Sequence, residues 1–429
     1  MGATGGLFAI LKAKEFLLMS NTPVFILGGY QTDFARHYGR EGRDLCGLFQ
    51  DTVGGALAAA DIAPEEVEAA HVANFAAELL CYQGHLGAFF LEVDPAFSGI
   101  PTSRHEAACA SGSVAALAAM ADIEAGRYGL VCVAGVELER HVPAKEAAAH
   151  LGTAAWHAQE CTGIDFPWPH FFSRLAEEYD RRYGIKREHL SAISRFNFEN
   201  ARRNPNAQTR TWELTPAHYE EDDTVNPVIT GRIRRQDCSQ MTDGGAAIFL
   251  ASAEVARRYA ERRGLRLEDI PRITGWGHRT ARIRFEDKIA QSEGQRYVFP
   301  QVRRCIMDAL SRAHIDDANQ LDCIEVHDCF TPTEYMAIDH FGLTPPGESW
   351  RAIEDGTVAH GGRTPINPSG GLIGLGHPVG ATGVRMLLDA SKQVSGTAGD
   401  YQVPGALTCA TLNIGGSGTT SVSFVVSTN

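Results

Sequence analysis

No stretch of this 429-residue chain runs to about 18 uninterrupted apolar residues, so a membrane-spanning helix is not expected. The 10 cysteines contain no Cys-x-x-Cys pair and no repeated spacing, which argues against a zinc ribbon, a redox dithiol or a disulfide framework. They read as reduced cytosolic thiols, a few of them functional, and the expected location is cytoplasmic. Positive charge is also in deficit: 39 Lys and Arg against 52 Asp and Glu give −13, which argues against non-specific nucleic-acid binding. The closing "VSTN" is not a peroxisomal address of the Ser-Lys-Leu type. The glycine-rich span 367–389 could cradle a phosphate, but it lacks the Walker lysine and the Gly-x-Gly-x-x-Gly after a strand, so a positioned imidazole is the better reading there. Residues 7–19, "LFAILKAKEFLLM", are interrupted by Lys12, Lys14 and Glu15 and are amphipathic rather than signal-like. They fit a short extra helix or an upstream start, with Met19 the alternative.

What remains is an ordinary globular composition, 44% hydrophobic and 21% charged, long enough for two or three domains. Short apolar runs such as "PVFILGGYQT" alternate with helical patterns of about a dozen residues, which predicts α/β layers. From residue 142 to about 235 the chain turns aromatic, basic and rich in Asn and Pro, and reads as a mostly helical insertion. Its basic runs, "DRRYGIKRE", "NARRNPN" and "GRIRRQD", suit an anionic ligand or simply a solvated face. A second α/β half begins near Pro271. The halves echo each other: "CASGSVAALAAM" and "GHPVGATGVRMLL" each place a small-residue motif before a helix and then a strand ending in glycine. The expected division is an extension at 1–22, a first half at 23–141 and 236–270, a loop domain at 142–235, and a second half at 271–429.

Three segments can carry chemistry. Cys109 precedes a run of small residues that opens an Ala-rich helix, where the macrodipole and free N–H groups favour a thiolate. His377 lies in "NPSGGLIGLGHPVGATG", a loop too glycine-rich for a regular element and suited to presenting one imidazole as a base. "EVHDCF" ends a strand with His327 and Cys329 two residues apart. A fourth segment, "NIGGSG", offers backbone N–H groups around Gly415 for an oxyanion. Cys409 reads as a buried strand residue.

"CASGS", "NPSGGLIGLGHPVGATG" and "NIGGSG", in this order, resemble the thiolase superfamily. "HDCF" in place of the more usual Asn-Glu-Ala-Phe, and Asn413 where most thiolases have a cysteine, resemble its sterol-carrier-protein-type branch. The resemblance implies two βαβαβαββ halves in a five-layered α-β-α-β-α sandwich with an inserted loop domain. It implies Cys109 as nucleophile, His377 as base and oxyanion partner, Cys329 as the acid/base that Asn413 no longer supplies, and His327 with the Gly415 backbone as oxyanion donors. "RHEAAC" departs from the Asn-rich approach to the nucleophile common in that branch, and Glu106 there suits a structural or subunit-contact role.

The implied activity is CoA-dependent cleavage of 3-oxoacyl-CoA, or the reverse Claisen condensation, through an acyl-cysteine. CoA thioesters are then substrates, no metal or cofactor is needed, and a homodimer or homotetramer is expected. Two alternatives stay open: a thiolase-like aldolase or lipid-transfer-type subunit acting with an OB-fold partner, and a β-ketoacyl synthase.

Overall fold

The computed structural model describes residues 23–428, so the expectations for residues 1–22 lie outside the described part. The strands are β1 (Val24–Gln31), β2 (Ala69–Ala73), β3 (Thr102–His105), β4 (Leu130–Leu138), β5 (Val228–Thr230), β6 (Ile233–Arg234), β7 (Asp243–Ala251), β8 (Arg272–Thr280), β9 (Cys323–Val326), β10 (Thr408–Gly415) and β11 (Thr420–Ser427). The principal helices are α1 (Leu45–Ala60), α2 (Ser111–Glu124), α3 (Pro167–Tyr183), α4 (Arg187–Ala201), α5 (Ala253–Arg263), α6 (Pro300–Arg312), α7 (Thr331–Phe341) and α8 (Thr382–Val394).

Nine strands follow the order β3-β2-β4-β7-β1-β8-β11-β10-β9. The join at the centre is slight, since β1 meets β8 through only Val24–Ile273 and Phe25–Arg272. On either side the pairing rules repeat. In the first half β1 runs antiparallel to β7 and β7 to β4, while β4, β2 and β3 are parallel. In the second, β8 runs antiparallel to β11 and β11 to β10, β10 is parallel to β9, and Ile324 bridges in parallel to Ile366 where the first half has β3. The echo seen in the sequence is therefore a repeated topology.

Helices fill three layers around these two sheets. α1 and α5 cover the first sheet, α6 covers the second with α7 packed behind it, and α2 and α8 lie between the sheets. Each interface has its own apolar core, around Phe49 and Phe249, around Ala115 and Leu387, and around Phe172 and Ile306. Strands β4 and β7 are buried along their whole length, which is why they read as continuous apolar runs without alternation. The segment between β4 and β7 holds α3, α4 and the β5–β6 hairpin, mostly helical as its composition predicts. Many of its arginines are neutralised locally: Arg181 and Arg182 by Glu178, Arg187 by Asp237, Arg232 by Asp180 and Arg234 by Asp223.

The two middle helices touch backbone to backbone at their N-terminal ends. A Cβ on Gly112 would lie 2.7 Å from the amide nitrogen of Val384, and one on Gly383 would lie 2.3 Å from that of Ser113. No larger residue fits either position, and this crossing brings the loop before α2 against the loop before α8. Gly383→Ala is expected to force the helices apart, costing about 1–3 kcal/mol in urea denaturation and lowering turnover as well. Wild-type stability and turnover in that variant would remove the crossing from the account.

Candidate active site

Cys109 sits in the turn that leads into α2. Ala108 adopts φ +51°, a left-handed conformation that few non-glycine residues take and one that recurs at functional sites. The turn is braced locally: Ser111 Oγ donates to the Ala108 carbonyl at 2.6 Å and accepts the Ala107 N–H at 2.9 Å. Glu106 accepts the Ala108 N–H at 2.6 Å, which gives it a structural part. The helix start was expected to favour the thiolate. Instead, burial, with the charge of Glu139 beside it, pushes the Cys109 thiol up to about 12, outweighing the amides of Gly416 and Cys109 itself.

His377 is the one imidazole of the loop between Asn367 and α8. Its backbone N–H donates to Thr242 Oγ1 at 2.9 Å, and its Nδ1 lies 2.7 Å from Thr382 Oγ1. Thr382 Oγ1 gives its own proton to the Pro378 carbonyl at 3.0 Å, so the hydrogen-bond network assigns the His377 proton to Nδ1. Nε2 is left with a lone pair. Burial, then the charge of Arg385, lowers the His377 pKa to about 3, so the ring is neutral at working pH.

His327 has the opposite tautomer. Asn413 Oδ1 accepts from Ser113 Oγ at 2.9 Å, which turns its amide nitrogen toward His327 Nδ1 at 3.2 Å. The His327 proton is therefore on Nε2, a buried nitrogen with no hydrogen-bond partner among the described residues. The two rings stand edge to face, centroids 5.1 Å apart at 85°. The Cys109 sulfur and one nitrogen of each ring all lie within 4.8 Å of one another. Among the described residues these three are also the one group spaced to share a metal ion. Cys329 lines the same chamber, near enough that a charge on Cys109 opposes its ionisation, and burial pushes its thiol well up.

Buried carboxylates hold these loops. Asp328, between the expected site residues, accepts the amides of Leu372 and Ile373 at 2.6 and 3.1 Å, at the start of the glycine-rich loop. Glu325 binds the Ser369 amide and hydroxyl and pairs with Arg385 at 2.7 Å, both side chains fully buried. Glu139 accepts from Thr242 and Val379, and so grips the His377 loop directly and through Thr242.

Several participants were not legible beforehand. Gly416 lines the chamber and its amide favours the Cys109 thiolate; the expected Gly415 lies instead against the Ala107 carbonyl. Asn413 lies in β10, where its amide fixes the His327 tautomer. Lys288, buried, directs its three protons to Ser417 Oγ, Thr419 Oγ1 and the Ile283 carbonyl at 2.6, 3.1 and 3.2 Å, and so ties down the turn that carries Gly416. Burial lowers its pKa to about 7. Cys238 also faces the chamber, while Cys409 is buried in β10 as expected.

Sequence comparison identifies the fold's lineage. The family model "Thiolase, N-terminal domain" matches residues 24–254, and "Thiolase C-terminal domain-like" matches residues 286–428. The chain belongs to the thiolase family. An acetyl-CoA acetyltransferase of Methanothermobacter thermautotrophicus is 32% identical over 410 residues, 94% of this chain and 99% of that protein. Sterol carrier protein 2 of Oryctolagus cuniculus is 28% identical over 404 residues, covering 91% of this chain and 70% of that protein. Among solved structures, an "Ltp2-ChsH2(DUF35) aldolase" has a TM-score of 0.76 at 19% identity, covering 95% of this chain and 98% of that one. Human mitochondrial 3-ketoacyl-CoA thiolase has a TM-score of 0.68 at 16% identity, covering 95% and 99%. These two likenesses speak to the thiolase fold alone.

The protonation states of this thiolase make a direct prediction. Between about pH 4 and pH 9 Cys109 and His377 are a neutral thiol and a neutral imidazole, not an ion pair. Alkylation of Cys109 by iodoacetamide should climb about tenfold per pH unit from 6 to 9. A plateau already reached by pH 7, followed by peptide mass spectrometry, would reveal a preformed thiolate.

Proposed function

We propose that this thiolase catalyses reversible, CoA-dependent cleavage of a 3-oxoacyl-CoA through an acyl-Cys109 intermediate. The reading rests chiefly on one observation: two thiols from distant segments, Cys109 and Cys329, open on one chamber with both imidazoles. The relatives named as acetyl-CoA acetyltransferases agree with that class of chemistry.

His377 Nε2 takes the Cys109 proton as the sulfur attacks the keto carbon. The carbon–carbon bond then breaks, leaving an acyl thioester on Cys109 and the enolate of acetyl-CoA, which takes the Cys329 proton. CoA gives its thiol proton to the Cys329 thiolate and attacks the Cys109 thioester, releasing acyl-CoA. The Cys109 thiolate recovers its proton from His377. A positioned acid or base of this kind contributes about 10²–10⁴-fold.

The tautomers divide the imidazole work. His327 presents an Nε2–H to an oxyanion throughout, while His377 becomes a second donor only once it has taken the Cys109 proton. The amides of Gly416 and Cys109 serve the other oxyanion, each such donor worth about 3–4 kcal/mol. Run backward, Cys329 removes the α-proton of acetyl-CoA and condensation follows. CoA thioesters are the proposed substrates, and a homodimer or homotetramer the proposed assembly; no helix among the described residues is long and apolar enough to cross a membrane.

Steady-state thiolysis of a 3-oxoacyl-CoA ladder separates the roles. Cys109→Ser should abolish cleavage, Cys329→Ala should lower kcat by about 10²-fold or more with KM nearly kept, and Cys409→Ala should stay within a few fold of wild type. Wild-type turnover in Cys329→Ala would refute its assignment as acid/base.

A further inference from the structure

Beside the reacting groups lies a chamber of about 130 Å³ whose other walls are mainly apolar and aromatic, with Ser239, Gln240 and Glu139 the polar exceptions. Phe172 and Phe330 stack at 4.8 Å with an interplanar angle of 23°, and the Trp168 ring is pinned by its Nε1–H donating to the Leu151 carbonyl at 3.1 Å. Ala148 and Met241 contribute to the lining. Among the described residues no lysine or arginine lines it, and its one carboxylate, Glu139, already has an amide on each oxygen. A charged tail entering this space would lose its hydration and find no opposite charge, only the neutral side chains of Ser239 and Gln240. A methyl group would leave most of it unfilled, whereas apolar cavities near 150 Å³ accept a molecule the size of benzene.

We propose that the acyl group this site transfers is uncharged, apolar and about ring-sized: a medium-chain or aryl 3-oxoacyl-CoA in preference to acetoacetyl-CoA. The inference rests on the thiolysis reading above and narrows its substrate class. The aromatic walls are fixed by their own packing and hydrogen bond, so little ordering is left to be done when a tail enters. Burial of each added methylene is expected to raise kcat/KM about fourfold until the space is full.

The test is thiolysis by the full-length enzyme of acetoacetyl-, 3-oxohexanoyl-, 3-oxooctanoyl-, 3-oxo-3-phenylpropionyl- and 3-oxoadipyl-CoA. Expected is a kcat/KM for 3-oxooctanoyl-CoA about 10²-fold above acetoacetyl-CoA, with the phenyl substrate telling whether a flat ring or a flexible chain fits better. The adipyl substrate should fall roughly 10²-fold below its uncharged hexanoyl counterpart. Acetoacetyl-CoA equal to or better than the octanoyl substrate, or adipyl equal to hexanoyl, overturns the proposal while leaving thiolysis intact. Cleavage of none of the five overturns the thiolysis reading itself. Ala148→Phe, which fills the chamber, should lower the octanoyl-to-acetoacetyl ratio at least tenfold, and an unchanged ratio places the tail elsewhere. If that variant does not fold, the five-substrate comparison decides alone.

Discussion

The close crossing of α2 and α8 is the constraint from which the active site follows. Gly112 and Gly383 let two backbones approach to a distance that no side chain permits. Because each helix begins just after a reactive loop, that approach sets Cys109 and His377 in one place. Residues 268 positions apart in the chain (377 less 109) thus meet through helix geometry, before any attraction between their own side chains is considered.

Around this crossing the protein holds flexible, glycine-rich backbone with groups that are costly to bury. Arg385 and Glu325 pair with no exposure, and Asp328, Glu325 and Glu139 accept loop amides rather than water. Buried carboxylates in this setting resist ionisation: burial raises Asp328 to about 7, even against two amides, and Glu139 well above its ordinary value. For Asp328 the sign is clear. Its folded pKa lies above the unfolded one, so it favours the folded state below about pH 4 relative to higher pH, and that advantage fades as pH rises to about 7. The loops are therefore fixed by hydrogen bonding at some cost in electrostatic stability, a pattern suited to a site that needs position more than strength.

Much of this was legible in the sequence. The small-residue turn at Cys109, the glycine-rich loop at His377 and the His-x-Cys pair are local patterns, and each proved to face the chamber. The repeated strand–helix order was likewise readable because it depends on periodicity. What escaped were features that exist only across long separations. Gly416 rather than Gly415 lines the chamber because β10 ends at Gly415 and the chain turns at Gly416 with φ +61°, a distinction that adjacent glycines do not show on paper. Glu139, Lys288 and Thr382 carry no motif, and their parts depend on what lies across from them. The thiol's pKa went the other way from the helix-terminus argument because burial, invisible in a local motif, exceeds the effect of the amides.

The central claim is that Cys109 alone carries the acyl group while Cys329 handles protons in the same chamber. Brief incubation with a 3-oxoacyl-CoA in the absence of free CoA, followed by acid quench and peptide mass spectrometry, tests it most directly. The account predicts one acyl adduct, on the peptide containing Cys109, which free CoA then discharges. An adduct on Cys329 or Cys238, or turnover with no adduct at all, would contradict it.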